Sequence, residues 1–400
     1  MSWLDDLPDD WSRINPRRHF RDRREPSLPD DRHLTPSQHY GVLPQDEYMA
    51  RTGSRVVLNL TGSDNMKHVE PGDAIAHLRS FQGGLETSAL AGKVSTAYTV
   101  IEPLDGIDPD FYRWVFKSSA FVSALAAGVQ QLRDGQSIRF ADFAKVDLPR
   151  PPIDEQRRIA DFLNDRVARL DWIIEARHAQ MVLIVERVEG LIARELSPLS
   201  PLDAHQEKHS LRVPQSWSTP RLSYIVNIGS GSGITSEEIE PQGNFPVYGA
   251  NGVRGFASSF THANDRILVG RQGALCGNVT LAGGPFWASE HALVCEPLVP
   301  FDMNWMLEVL RSMNLRQYSR SAAQPGINAS LVGSMRVPWV DIGHQQVLGQ
   351  RSSAWHDGGA TARKQGVQSV ELLAEYKTSL ITAAVKGELD VTTAGSNIPG

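Results

Sequence analysis

Four hundred residues suit two or three domains, and 41% hydrophobic with 22% charged residues is an ordinary globular composition. A formal net charge of −6 argues against a freestanding, strongly basic nucleic-acid binder, and Cys276 and Cys295 have neither metal spacing nor a disulfide framework. No apolar run nears the roughly 18 residues of a membrane span, and the acidic start MSWLDDLPDD has no secretory apolar region, so a reduced cytoplasmic setting is expected.

Residues 1–25 carry Asp5, Asp6, Asp9 and Asp10, then arginines at 13, 17, 18, 21, 23 and 24. Such a run reads as a solvated lead-in or as a phosphate-contacting edge of the first globule. Residues 26–147 read as a mixed α/β globule. Short β-rich pieces, RVVLNL at 55–60 and STAYTVIEP at 95–103, alternate with Gly, Pro and Asp turns. FYRWVFKSSAFVSALAAG (111–128) has helical spacing, with Asp110 as the expected N-cap.

From 148 the chain reads LPRPPIDEQRRIADFL and meets no further proline until Pro198. Pro151 and Pro152 set an extended approach, and Asp154 and Glu155 place negative charge where the helix dipole favours it. Apolar residues recur at 163, 167, 170, 174, 181, 184, 188 and 191, broken by Arg177 at 177. Steps of three and four predict a coiled-coil seam over about four heptads. At about 1.5 Å per residue, some 40 such residues make a rod of roughly 60 Å.

Residues 197–212 form a polar Pro/Ser linker, and 213–336 a second globule. VPQSW (213–217) echoes LPDDW (7–11). GDAIAHLRSFQGG (72–84) aligns with NDRILVGRQGA (264–274), placing Asp73 on Asp265, Ile75 on Ile267 and Arg79 on Arg271. Glu102-Pro103 then falls on Glu296-Pro297, and Lys117-Ser118 on Arg311-Ser312. A shift of 189 positions puts Pro149 on Pro338, Ile153 on Ile342, Gln156 on Gln345 and Leu191 on Leu380. The chain is therefore globule, rod, globule, rod, a duplication with pseudo-two-fold symmetry. Two rods of equal length suit an antiparallel pair. The second, within 337–391, carries Gly343, Gly349, Gly358, Gly359 and Gly366, which predicts a weak or kinked stretch near Gly358-Gly359. Residues 392–400 read as a disordered tail. The expected class is α+β: two α/β globules separated by two long antiparallel coiled-coil helices.

Catalytic motifs are missing. IGSGSGIT (228–235) fails GxGxxG because position 234 is Ile, and Gly92-Lys93 is followed by Val94, not Ser or Thr. Neither GxSxG nor HExxH occurs, nor does the Asn-Pro-Pro-aromatic stretch of amino-methyltransferases. Glu375-Tyr376-Lys377 resembles the tail of a metal-nuclease motif but sits at seam spacing, where a helical surface pair is the simpler reading. His77, His262 and His291 read as structural or surface residues.

Binding chemistry remains. Glycine-rich loops bearing Arg, Gln and Asn recur in both globules. The first globule has Arg79 and Gln82, then Arg133 and Gln136. The second has Tyr248, Asn251 and Arg254, then Arg271 and Gln272, then Gln324 and Asn328. Arg can bind guanine O6/N7 bidentately, and Gln or Asn can bind adenine N6/N7. Glycine lets such a loop approach phosphate closely. Read singly, each is also what a tight turn would carry; the repetition in both halves points to double-stranded DNA. Counting Lys plus Arg against Asp plus Glu gives 8 and 8 over 213–338, and 18 and 21 over 1–150. Neither globule has the excess that tight independent DNA binding needs, so weak binding alone is expected.

At this point the sequence resembles the specificity subunit of type I restriction–modification systems. LPRPPIDEQRRIADFL (148–163) resembles the family's motif PLPPLxEQxxI. VYGANGVRGF (247–256), ILVGRQGALCGNV (267–279), WASEHALV (287–294) and SAAQPGIN (321–328) resemble one type of target-recognition domain. RSFQGGLETSALAGKVSTAYTV (79–100) and RDGQSIRFADF (133–143) resemble another, and SLITAAVKGELDV (379–391) the second helix and its end. The second rod departs from the pattern, with VPWVDIGHQQ where the family has PLPxxxEQ. The resemblance implies target-recognition domains at 1–147 and 213–336 and spacer helices at 148–196 and 337–391, each globule reading half of a split, asymmetric site. It implies that two modification subunits dock on the helices, and that restriction subunits join them. Docking positions would include Gln156, Arg157, Leu163, Leu170, Ile184, Leu191, Leu373 and Leu380. Adenine methylation with S-adenosylmethionine and ATP-driven cleavage would belong to those partners, leaving this chain without cofactor or catalytic residue. Two other readings stand beside it: a DNA methyltransferase or nuclease with built-in recognition, and a coiled-coil scaffold whose globules bind protein.

Overall fold

In the computed structural model, residues 3–53, 66–77, 84–128, 138–196, 217–319 and 326–391 are described. The strand expected at 55–60, the linker 197–212 and the tail 392–400 lie outside them. Two compact units divide the chain: residues 1–178 with 368–400, and residues 179–367.

Unit 1 opens with β1 (Ser12–Ile14), β2 (Phe20–Asp22), β3 (Leu34–Ser37) and β4 (Gly41–Pro44), followed by α1 (Gln45–Thr52). Then come β5 (Lys67–Val69), β6 (Ala74–Ala76), β7 (Glu86–Thr87), β8 (Gly92–Val94) and β9 (Thr99–Pro103). Helices α2 (Pro109–Lys117), α3 (Ser119–Gly128) and α4 (Phe140–Phe143) and strand β10 (Leu148–Arg150) complete the globule. Its four-stranded antiparallel sheet runs β2-β9-β6-β7. Phe20, Phe111, Tyr112, Phe116, Phe121 and Phe143 pack against one another in its core, Phe20 meeting Tyr112 edge-on at 5.2 Å.

The single helix expected over 111–128 is two helices, and its cap is Asp108, not Asp110. Asp108 Oδ1 accepts from Phe111 N at 3.0 Å, and Pro109 suits the first helical position because its missing N–H is no loss there. Ser118 leaves the helical region at ψ 141° and ends α2; its hydroxyl then accepts from Phe121 N at 3.3 Å and starts α3.

Unit 2 holds β11 (Val226–Ser230), β12 (Phe245–Gly249), β13 (Gly252–Ala257), β14 (Arg266–Gly270), β15 (Val279–Ala282), β16 (Trp287–Ala288) and β17 (Ala292–Pro297). Helices α5 (Met303–Ser312) and α6 (Ala329–Ser334) follow. The main sheet runs β11-β17-β14-β15, and a smaller one β13-β12-β16.

The duplication read from the sequence holds in three dimensions. In both main sheets the first strand lies beside the last, and the last beside the second. Both sheets lead into a helix capped by aspartate, Asp108 on Phe111 N and Asp302 on Trp305 N at 2.9 Å. Ser118 and Ser312 each donate to the carbonyl three residues back, at 2.7 and 2.8 Å. Ser12 pairs with Arg150, as Ser218 pairs with Trp339.

Two long helices, Ile153–Leu196 and Ile342–Lys386, are shared out between the units. On the first helix, Leu163, Val167 and Leu170 are buried, and the seam positions 174, 181, 184, 188 and 191 are half-buried. In unit 1 the seam merges with the globule's own core: Leu163, Val167 and Leu170 cluster with Leu380, Ile381, Ala384 and the aromatic residues. Lys377 pairs there with Asp171 at 2.6 Å. In unit 2 the helices run antiparallel. Met181 faces Gly366, Val188 faces Gly359, and Glu195 pairs with Arg351 at 3.6 Å.

The stretch expected to be weak or kinked at Gly358-Gly359 does not interrupt the helix, which runs from Ile342 to Lys386. A methyl group at Gly359 would lie 2.9 Å from Val188 Cγ2, and one at Gly366 2.8 Å from Met181 Cγ. These glycines give room for close approach of the partner helix, which offsets their low helix propensity. The helix stops at Gly387, φ +72°, where Gly387 N donates to Ala384 O and Glu388 N to Ala383 O. That is the paired-bond end which glycine accommodates in the left-handed region.

Both helices start on the same buried amide. Gln156 Oε1 accepts from Asp108 N at 2.8 Å, and its Nε2 donates to Pro151 O at 2.8 Å. Gln345 Oε1 accepts from Asp302 N at 3.1 Å, and its Nε2 donates to Val340 O at 2.7 Å. Each glutamine is 1% exposed.

Candidate nucleic-acid interface

The strand pair β12–β13 turns at Ala250-Asn251-Gly252, where Gly252 has φ +88°. The end of β14 passes beneath the turn. A Cβ at Gly270 would lie 2.4 Å from Ala250 O and 2.8 Å from Leu275 O, so only glycine lets the two loops close on this strand. Between them opens a cleft of about 730 Å³, lined among others by Asn251, Val253, Arg254, Gln272, Leu275 and His291.

Arg271 is fixed from three sides. Its N–H donates to His291 O at 2.8 Å, its carbonyl accepts from Ile327 N at 3.0 Å, and Nη1 donates to Ser230 Oγ at 3.1 Å. Ser230 orients the guanidinium, which has no carboxylate partner among the described residues. Gln272 is exposed and held through a backbone bridge to Gly326. Arg254 is exposed on the hairpin. Asn251 Oδ1 already accepts from Asn278 Nδ2 at 2.9 Å, which leaves its amide donor for a further contact. A second depression of about 380 Å³ shares Asn251, Ala274 and Leu275 and adds Asn314 and Arg316.

The structure thus gathers Asn251, Arg254 and Gln272 on one cleft, with Arg271 next to Gln272 in the chain. Two other expected residues serve the fold. Tyr248 is half-buried, with its ring edge on Phe286 at 5.4 Å. Asn328 Oδ1 accepts from Leu331 N at 2.8 Å and caps α6. Arg79, Gln82, Arg133, Gln136 and Gln324 lie outside the described residues. Sequence reasoning weighed only polar readers and missed Val253 and Leu275, which are 50% and 45% exposed on the cleft. Their signal was an apolar residue inside a glycine-rich polar loop. Ser230 gave none.

On the helices, four expected docking positions are spent inside the chain. Gln156, Leu163, Leu170 and Leu380 are 1%, 0%, 6% and 8% exposed, because the seam and the amide contact bury them. Ile184, Leu191 and Leu373 are half-buried, and Arg157 is exposed. The outward apolar side chains are others: Trp172, Leu372 and Tyr376 in unit 1, and Val182 and Leu183 in unit 2, all more than half exposed.

Burial lowers the pKa of His262, which stacks on Phe286 at 5.1 Å. Burial pushes the Cys295 thiol up to about 12 and raises that of Cys276, so neither is a ready nucleophile. Among the described residues no group of three or more His, Cys, Asp or Glu could hold a metal, and no helix is long and apolar enough to cross a membrane.

Comparison with known proteins meets this geometry. Residues 214–351, which include the cleft, match the type I restriction modification DNA specificity domain. The type I restriction enzyme EcoprrI specificity subunit of Escherichia coli is 38% identical over 110 residues, 26% of this chain and 27% of that protein. A putative type I specificity subunit of Mycoplasma genitalium is 26% identical over 259 residues, 62% of this chain and 64% of that protein. The matched stretches thus span about a quarter and under two thirds of those relatives' lengths. The fold matches a chain from a structure of complex assembly and conformational transition in the type I R-M system, with TM-score 0.72 and 15% identity over 96% of this chain and 100% of that one. It also matches the HsdS subunit of Thermoanaerobacter tengcongensis, with TM-score 0.55 and 16% identity over 96% of this chain and 98% of that one. Residues 214–351 thus carry a type I restriction modification DNA specificity domain, and the chain as a whole shares its fold with these two solved proteins.

Proposed function

We propose that this chain reads a bipartite, asymmetric DNA site, one half with each unit, and carries no catalytic step. The observation that supports this best is the unit 2 cleft. It presents Asn251, Arg254 and Gln272 together, and Ser230 holds the adjoining Arg271 in place. These are side chains that match base edges in the major groove, and the glycine-built walls let backbone approach phosphate. Unit 1 has the same sheet order and helix cap, which suits a second reader of the same design.

Two modification subunits dock on the long helices, and restriction subunits join the assembly; methyl transfer and cleavage take place there. The outward side chains Trp172, Leu372 and Tyr376 in unit 1, and separately Val182 and Leu183 in unit 2, suit such docking. With charge balanced in each globule, the chain alone binds DNA weakly, and the assembly binds it in a salt-sensitive way.

The test is discrimination by the assembled complex. Arg271→Ala and Gln272→Ala relax recognition in one half-site only, by about 1–3 kcal/mol for a lost bidentate pair. Arg79→Ala and Gln82→Ala do the reverse. If each variant weakens all sequences equally, these residues hold phosphate or the fold and read no bases.

A further inference from the structure

We infer that Gln156 and Gln345 are positioning residues that set how each reading globule is presented by its long helix. The inference rests on the recognition reading above. Each amide ties three separate pieces of one unit: the first turn of a long helix, the extended segment before it, and the aspartate that starts the helix following the sheet. Asp108 and Asp302 each come directly after the last strand of the main sheet and its short turn, β9 in one unit and β17 in the other. Whatever fixes the aspartate fixes the sheet, and β14 of that sheet leads straight into the loop whose residues Gln272 to Leu275 line the unit 2 cleft.

The chemistry calls for an amide. The Asp108 and Asp302 N–H groups need an acceptor, and the Pro151 and Val340 carbonyls need a donor. A buried amide supplies both at once, and removing it strands both backbone groups away from water. Glutamate would supply the acceptor and turn a lone pair on the carbonyl. Methionine fills the same volume and makes neither bond.

The two sites reach this geometry from different surroundings. Before the first helix stand Pro151 and Pro152. Before the second, Asp341 caps the helix, its Oδ1 accepting from His344 N at 3.2 Å. In unit 2 the following turn also presses close, with a Cβ at Gly349 lying 2.0 Å from Asp302 Oδ1. The halves thus differ in cap and packing and agree in the two bonds of the glutamine. A residue needed only to start a helix would be redundant beside Asp341. One that fixes the sheet's orientation on the helix is needed in both places.

The experiment uses the full chain assembled with its modification subunits. It measures binding to a DNA duplex carrying the mapped site and to duplexes with one or the other half scrambled. Gln345→Met lowers discrimination against the scrambled second half by roughly tenfold, the worth of one misplaced bidentate contact, and leaves discrimination at the first half unchanged. Gln156→Met does the reverse. Gln345→Asn keeps the amide but shortens its reach; it folds more readily and gives a smaller loss at the same half. Unchanged discrimination ratios in the folded Met and Asn complexes, with affinity falling equally for all duplexes, would overturn the inference. A wild-type complex indifferent to both scrambles overturns the recognition reading itself, and this inference with it.

Discussion

Gly358 and Gly359 are neighbours in the middle of the second long helix, and the structure gives them opposite roles. A methyl group at Gly358 meets nothing within 4 Å. Gly358→Ala therefore gains the full difference in helix propensity, about 0.8–1 kcal/mol. At Gly359 the same methyl lies 2.9 Å from Val188 Cγ2, about 1 Å inside ordinary carbon contact. Val188 is β-branched and helical, so its side chain has one strongly preferred rotamer and cannot swing aside. Overpacking of this kind costs about 1–3 kcal/mol, which cancels or exceeds the propensity gain. The two variants should differ by about 1–3 kcal/mol, or roughly 2–10 °C in the melting of unit 2. Calorimetry of the whole chain reads the difference, and amide exchange over 181–195 locates it on the facing helix. Gly366→Ala falls between them, because the atoms it meets, Met181 Cγ and Sδ at 2.8 and 2.9 Å, belong to a flexible side chain. Equal stabilisation by Gly358→Ala and Gly359→Ala would refute the face-to-face packing of the helices in unit 2.

Three further predictions follow from unit 1 and the helices. Leu163→Ala, at a fully buried position among Leu380, Ile381 and Ala384, costs about 2–5 kcal/mol, whereas Leu183→Ala, 62% exposed, stays within about 0.5 kcal/mol; chemical denaturation separates them. Burial works against a charged His68, but its bonds to Glu70 at 2.9 Å and Asp31 at 2.8 Å outweigh burial and raise its pKa above 6.5. Because the folded pKa is the higher one, this clasp contributes fully below pH 6.5 and is lost as pH rises through the raised value; the stability gap between wild type and His68→Leu should shrink from pH 6 to pH 9. Trp172→Ala and Leu183→Asp should reduce co-purification with modification subunits and leave the melting of the chain unchanged; undiminished capture by both variants places docking elsewhere.

Much of this was legible in the sequence, and the misses have physical causes. The seam on the first helix followed from spacing alone, since a period near 3.5 leaves few other ways to bury a stripe. The duplication was visible from Asp73 on Asp265 and Ser118 on Ser312, and the sheets bear it out strand for strand. Asp110 was taken for the cap because propensity favours any aspartate near a helix start; the hydrogen bond belongs to Asp108, two residues earlier, ahead of Pro109. Gly359 was read as weakness because propensity scales price a residue without its neighbour, and the neighbour is Val188. Gln156 was placed among the docking residues by the family resemblance. Its burial depends on Asp108, 48 positions away. Within the cleft, residue type picked out Asn251, Arg254 and Gln272, but it could not separate them from Asn328, whose side chain caps a helix.

The central claim is that two readers in one chain each specify half of a split DNA site. The most direct measurement replaces residues 213–336 with the corresponding domain of a type I specificity subunit and maps methylated adenines in cells carrying the assembled complex. The account predicts a new site in which one half changes and the other is kept base for base. A map in which both halves change, or neither does, would contradict it.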